Sequence, residues 1–97
     1  MNVNDQVFAA LASAPRRQMV AFLAQTALST VELAERFAMS APAVSRHLGV
    51  LLRAGLVESE REGQRVLYRL KRDALLNALS RFASEVDGPL RTPRNAI

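Results

Sequence analysis

Two helix starts lie eleven residues apart in the middle of this chain, and a helix stop follows them. The first start is Ser29-Thr30-Val31-Glu32, a serine with a glutamate three residues on, which is the pattern of a capping box. The second is Ser40-Ala41-Pro42, a serine cap with proline in the first turn, where its missing N–H does no harm. The stop is Gly55, a residue that enters the left-handed conformation without steric cost. Two helices, about 30–38 and 41–54, therefore meet at a sharp corner around Met39 and Ser40. Helices joined by so short a turn form a helix-turn-helix, whose second helix suits the major groove of DNA.

The flanking segments complete a winged variant. A helix over about 4–12 carries Val7, Phe8 and Leu11 on one stripe. Ser13 and Pro15 open another over about 14–25, with Met19, Val20, Phe22 and Leu23 as its core residues. The helix over 30–38 is expected to bury Val31, Leu33, Ala34 and Phe37. After Gly55 the period changes, and 56–61 and 65–70 read as strands joined by Glu62-Gly63-Gln64. The helical period returns with Leu75, Leu76, Leu79, Phe82, Ala83 and Val86, up to about Asp87, where Gly88 and Pro89 end it. The expected fold is mainly α with a β-hairpin wing, a winged helix-turn-helix in the order α-α-α-α-β-β-α. Residues 1–87 form one DNA-binding and dimerisation domain in this reading, and 88–97 a disordered tail.

Charge singles out the same region. The net charge is +4, and residues 46–72 hold seven arginines and lysines against three glutamates, which accounts for all of it. A localised arginine excess is the footprint of a polyanion binder. On the 41–54 helix, Val44, Leu48, Leu51 and Leu52 fall on one side and should face the core. Ala43, Arg46, Val50 and Arg53 fall opposite, with Ser45 and His47 at the margins and no acidic residue among them. Small Ala43 permits close approach to a base, and Arg46 is placed for guanine O6 and N7. The first amides of this helix, from Ser40 and Ala41 on, suit phosphate oxygens together with the Ser40 and Ser45 hydroxyls. Arg61, Gln64 and Arg65 at the hairpin tip suit phosphate or the minor groove.

The chain also resembles the arsenical-resistance repressor (ArsR) family over roughly residues 6–83. The resemblance is carried by Leu33-Ala34-Glu35-Arg36-Phe37, by Ser40-Ala41-Pro42-Ala43-Val44-Ser45-Arg46-His47-Leu48 and by Leu51-Leu52-Arg53-Ala54-Gly55-Leu56-Val57. It continues through Arg61-Glu62-Gly63-Gln64-Arg65 to Tyr68-Arg69-Leu70. It implies a homodimer reading a palindrome, with Ser40, Ala43, Ser45, Arg46 and His47 near bases or phosphates and the wing touching DNA. It also implies dimerisation through the first and last helices. Val7, Phe8, Leu11, Leu75, Leu79 and Phe82 are the residues expected there, since a small monomer could not bury both stripes.

One departure matters. Metal-sensing relatives place a cysteine pair in the third helix, where this chain has Ser29 and Val31 before Glu32-Leu33. The chain has no cysteine and one histidine, His47, on the expected reading helix. Asp73 and Glu85 of the last helix stand twelve residues apart, about 18 Å, too far for one ion. No metal, cofactor or thiol switch is expected, and no effector can be named. Nothing resembles a catalytic nucleophile-base pair or a phosphate loop, so an enzyme is not expected. No signal peptide or membrane span is read in the sequence, and a cytoplasmic repressor binding double-stranded DNA is the favoured reading. The alternative is a winged-helix module for protein or RNA contact without sequence-specific DNA binding.

Overall fold

The computed structural model describes residues 2–87. The expected tail, 88–97, lies outside the described residues. Five helices and three strands follow in the order α1 (Val3–Leu11), α2 (Ala14–Leu23), β1 (Leu28–Ser29), α3 (Thr30–Phe37), α4 (Ala41–Arg53), β2 (Val57–Glu62), β3 (Arg65–Leu70) and α5 (Arg72–Asp87). The winged helix-turn-helix is present. Among the described residues no helix is long and apolar enough to cross a membrane.

Local chemistry sets the helix ends. The Asn2, Ser13, Ser29 and Ser40 side chains each accept a backbone N–H in the first turn of α1 to α4 respectively. The Ser29 cap is reciprocal: its hydroxyl accepts from the Glu32 N–H at 3.2 Å, and Glu32 accepts from the Ser29 N–H at 2.9 Å. α4 ends as the glycine implies, with Gly55 at φ +75°. The Leu56 N–H donates to Leu51 O and the Gly55 N–H to Leu52 O, both at 3.0 Å, which is a Schellman motif. α3 closes in the same way with Ala38 at φ +52°, a conformation that costs an alanine about 1–2 kcal/mol. That corner sets the direction in which α4 leaves α3.

β1 was not expected. Its two residues pair with β3, Leu28 opposite Tyr68 and Ser29 opposite Leu67, giving a three-stranded antiparallel sheet in the order β1-β3-β2. Two residues are too short to show an alternating pattern, and Ser29 serves as strand and helix cap at once. The hairpin is also tighter than expected. Glu62 pairs with Arg65, so only Gly63 and Gln64 form the turn. Gly63 has φ +65° and Gln64 does not share the positive sign, as in a type II′ turn with glycine first.

The core joins all the elements through Val7, Met19, Leu23, Leu28, Leu33, Val44, Leu48, Leu51, Leu56, Val57 and Ala78, with Tyr68 and Leu70 of β3 packed against it. Several expected placements change. Val7 is 1% exposed inside its own protomer's core, so it has no surface left for a partner. Leu11 and Leu75 are half-buried and pack against the same core. Val31, expected inside, is 62% exposed. Leu52 and Phe22 are also on the surface. Phe22 packs edge-on against Phe37, ring centres 5.4 Å apart, with the Arg36 guanidinium over its ring. Helical spacing identifies an apolar stripe but not what covers it.

Candidate nucleic-acid interface

The N-terminus of α4 lies at the surface, with Ser40, Ala41 and Pro42 exposed. Ser40, Ala41, Ser45, Arg46 and Arg53 are exposed, and Ala43 and His47 are half-buried at the edge of the same surface. Leu48, Val44 and Leu51 anchor the opposite side in the core. Gly49 leaves room along the outer face: a Cβ there would stand 3.4 Å from the Arg53 Nη1, so the Arg53 guanidinium lies back over this turn. Val50 departs from the expected face. It packs on the core and lines a cleft with Gln6, Ala9, Arg53 and Ala54, which turns it toward α1 and away from Arg46.

His47 is held from below. Its Nδ1 lies 3.3 Å from the Arg16 Nη1. The same guanidinium donates through Nε to Ala10 O at 2.7 Å and through Nη2 to Ala9 O at 3.3 Å. Arg17 donates to Leu11 O at 2.8 Å. Two cations in the first turn of α2 sit at the wrong end of that helix's dipole. They reach back instead to the C-terminal carbonyls of α1, where cations are favourable. A pair of arginines directly after a Ser-x-Pro helix start was a sign of this in the sequence. The role of Arg16 was missed because its partners lie on other elements.

The wing contributes Arg61, Gln64 and Arg65, all exposed. Arg65 is engaged in this conformation: its Nη2 donates to Glu32 Oε1 at 2.8 Å, tying the wing to the first turn of α3. Arg69 lies 3.6 Å from Glu60 within the hairpin. A cleft of about 440 Å³ separates the start of α3 from the wing, and Ser29, Val31, Glu32 and Arg65 are among its lining residues. Ser29 and Val31, where metal-sensing relatives carry cysteines, thus supply a helix cap and an exposed methyl surface. Among the described residues no group of three or more histidine, cysteine or acidic side chains could hold a metal ion.

Among the described residues, two groups titrate away from their ordinary values. The Ser29 backbone N–H, with the Ser29 side chain and the Arg65 guanidinium, holds the Glu32 carboxyl below the usual 4.5 against the opposing effect of desolvation. Burial, then the charges of Arg16 and Arg46, hold His47 below its usual 6.5. Both depressions mean that the unfolded chain binds the proton first, so stability falls as pH falls. For His47 the loss begins below about pH 6.5, and for Glu32 below about pH 4.5. Thermal melts should show a falling Tm between pH 7 and 5.5 that flattens in His47→Gln, while the steeper loss at lower pH persists. Equal slopes in the two proteins over that upper range would remove His47 as the cause.

The expected dimer residues divide. Leu79 and Phe82 are 43% and 50% exposed on α5, on the same helical side as exposed Leu76 and Val86. Phe8 is half-buried and meets Phe82 edge-on at 5.4 Å. Leu76, Leu79, Phe82 and Val86 share one side of α5 by helical spacing and leave an apolar face without a cover among the described residues.

Comparison with known proteins agrees with this geometry. A helix-turn-helix domain family model matches residues 11–60. The chain is 40% identical over 88 residues to the HTH-type transcriptional regulator KmtR of Mycobacterium tuberculosis, covering 87% of this chain and 66% of that protein. It is 29% identical to the transcriptional repressor SdpR of Bacillus subtilis, covering 89% of this chain and 99% of that one. It spans 51–62% of the length of several further curated relatives. An ArsR-like transcriptional regulator from Rhodococcus sp. RHA1 superposes with a TM-score of 0.81 at 31% identity, over 97% of this chain and 92% of that one. With its wing, its serine-capped helix-turn-helix and these relatives, the chain belongs to the ArsR family of winged helix-turn-helix transcriptional regulators, which are not enzymes.

Proposed function

We propose that this protein is a sequence-specific repressor that binds an inverted-repeat operator in the cytoplasm as a homodimer, with residues 1–87 as the DNA-binding and dimerising unit. The observation that carries the reading is the exposed side of α4. It presents Ser45, Arg46 and Arg53 with no carboxylate, above a core-anchored underside. A face of that kind meets the potential of the major groove, and Arg46 suits a guanine edge. Arg61, Gln64 and Arg65 extend the contact to the flanking backbone. The apolar face of α5 supports the homodimer. Several of the relatives are named as repressors and one as an activator, which favours repression. Occlusion of a promoter needs only that the dimer sit on it.

Regulation through thiols has no chemical basis in a chain without cysteine. In this reading zinc, nickel, arsenite and peroxide do not act through the repressor, because an ion shifts an equilibrium only where it binds one state better than another.

Selection of bound fragments from random DNA, repeated across a salt series, tests the proposal. The expected product is an inverted repeat with half-sites about one helical turn apart. Affinity should fall with salt at a slope of about −0.9 per phosphate neutralised. Micromolar metal or oxidant should leave affinity within about twofold, since no cluster of metal ligands lies among the described residues to favour one state. Equal affinity for a shuffled sequence would refute specific binding, and a tenfold, chelator-reversible loss would refute the claim about metals.

A further inference from the structure

We propose that Arg16 is a positioning residue for DNA readout: it fixes His47 as the Nε2–H tautomer, so that α4 offers an imidazole N–H donor and selects against cytosine at the base it meets. The inference rests on the reading of α4 as the recognition helix.

The hydrogen between Arg16 and His47 can belong to only one of them. A guanidinium carries five N–H donors and no acceptor, and it does not lose its proton in proteins. At 3.3 Å from the Arg16 Nη1, the His47 Nδ1 must therefore be the acceptor. A neutral imidazole that accepts at Nδ1 carries its proton on Nε2. The other tautomer, and the imidazolium, would set two donors against each other.

The guanidinium is not free to turn away. Two of its N–H groups are spent on Ala10 O and Ala9 O, at 2.7 and 3.3 Å. Those carbonyls belong to the last turn of α1, where Ala9 O also accepts the Ala12 N–H at 3.2 Å. Arg16 thus joins α1, α2 and α4 at one point. Its aim is set by backbone atoms, which a change of rotamer on α4 does not move.

Fixing the tautomer changes what the side chain can read. In the major groove guanine, adenine and thymine each present at least one acceptor, whereas cytosine presents only its N4 amino donor. A histidine free to exchange tautomers could meet either kind of edge. With Nδ1 occupied, His47 can only donate through Nε2. Half-buried, and adjacent to exposed Arg46, it stands at the margin of the reading surface.

The test uses the tag-free full chain. It has one histidine, so a long-range proton–nitrogen NMR spectrum reports His47 without assignment. At pH 7.5 the wild type should show a bare Nδ1 and a protonated Nε2, and Arg16→Met should show a mixture. Binding-site selection follows. His47→Asn keeps an acceptor near the Nδ1 position but loses the distal donor. It and Arg16→Met should each relax the bias against cytosine by about three- to tenfold at one base pair per half-site, the worth of one hydrogen bond. His47→Gln, with an amide N–H near the Nε2 position, should recover most of that bias. Should Arg16→Met fail to fold, the two His47 variants and the wild-type spectrum still decide the matter. A protonated Nδ1 in the wild type, or a spectrum unchanged in a folded Arg16→Met, would overturn the tautomer assignment. Identical base preferences for His47→Asn and the wild type would overturn the role in readout. A wild type with no sequence preference at all would instead overturn the repressor reading, whatever tautomer the spectrum shows.

Discussion

Replacing Leu79 and Phe82 together by aspartate is expected to yield a folded monomer whose operator affinity is at least about a hundredfold weaker, the low end of what linking two half-sites supplies. Both side chains lie on the face that α5 leaves open, 43% and 50% exposed, with Leu76 and Val86 beside them. In the proposed homodimer, two-fold symmetry places the same patch on both partners, so each substitution is felt twice. Covering a Leu or Phe side chain fully is worth roughly 1.5–3 kcal/mol, and half-exposed residues have about half of that still to gain. Aspartates at these positions forfeit the gain and bring four carboxylates into one desolvated surface. The core of the protomer, around Val7, Leu33, Leu48 and Leu51, is not touched. Some stability is lost with the Phe8–Phe82 contact, about 0.5–1.5 kcal/mol for an aromatic pair. Leu79→Asp alone avoids that loss and should already weaken the dimer. Light scattering reads the mass against the 10.6 kDa chain, and fluorescence anisotropy reads the operator affinity. A double variant that stays dimeric would show that the subunits meet elsewhere.

The division between what could and could not be read in the sequence follows the range of the interactions. Ser13, Ser29, Ser40 and Gly55 act on backbone atoms within a few residues, and all four do what their local chemistry implies. Core membership needs knowledge of the neighbour. Val7 and Val31 looked alike as members of apolar stripes, yet one lies under α5 and the other faces the open cleft beside the wing. Val50 was placed beside Arg46 by helical spacing, but α1 covers its flank of α4. The role of Arg16 and the second role of Glu32, beyond its capping box, were not singled out because each works through a partner about thirty residues away, His47 and Arg65. No pattern of period or capping encodes such a contact. The only local sign was electrostatic, the arginines at the positive end of α2.

Arg46 and Arg65 should separate base reading from anchoring, and the structure sharpens the contrast between them. Arg46 stands exposed on α4 with no ion pair among the described residues, so its guanidinium is available for a guanine edge. A bidentate contact of that kind discriminates by about 1–3 kcal/mol, and a homodimer makes it twice, so Arg46→Ala should cost about 2–6 kcal/mol on the full operator. The variant should also lose its preference at one base pair in each half-site. Arg65 starts from a different position, because Glu32 holds its guanidinium at 2.8 Å. Both partners are well exposed, and surface pairs are worth at most about 1 kcal/mol. A phosphate can therefore replace Glu32, but only part of the attraction is gained on binding. Arg65→Ala should weaken all sequences alike, by less than Arg46→Ala, and make the salt slope shallower by about one per wing. Glu32→Gln keeps an acceptor for the Ser29 N–H but removes the competing charge, so it should strengthen binding to every sequence slightly. The measurement is a panel of single mismatches titrated at several salt concentrations. If Arg46→Ala kept the mismatch profile of the wild type, or if Arg65→Ala altered it, the assignment of reading to α4 and anchoring to the wing would be wrong.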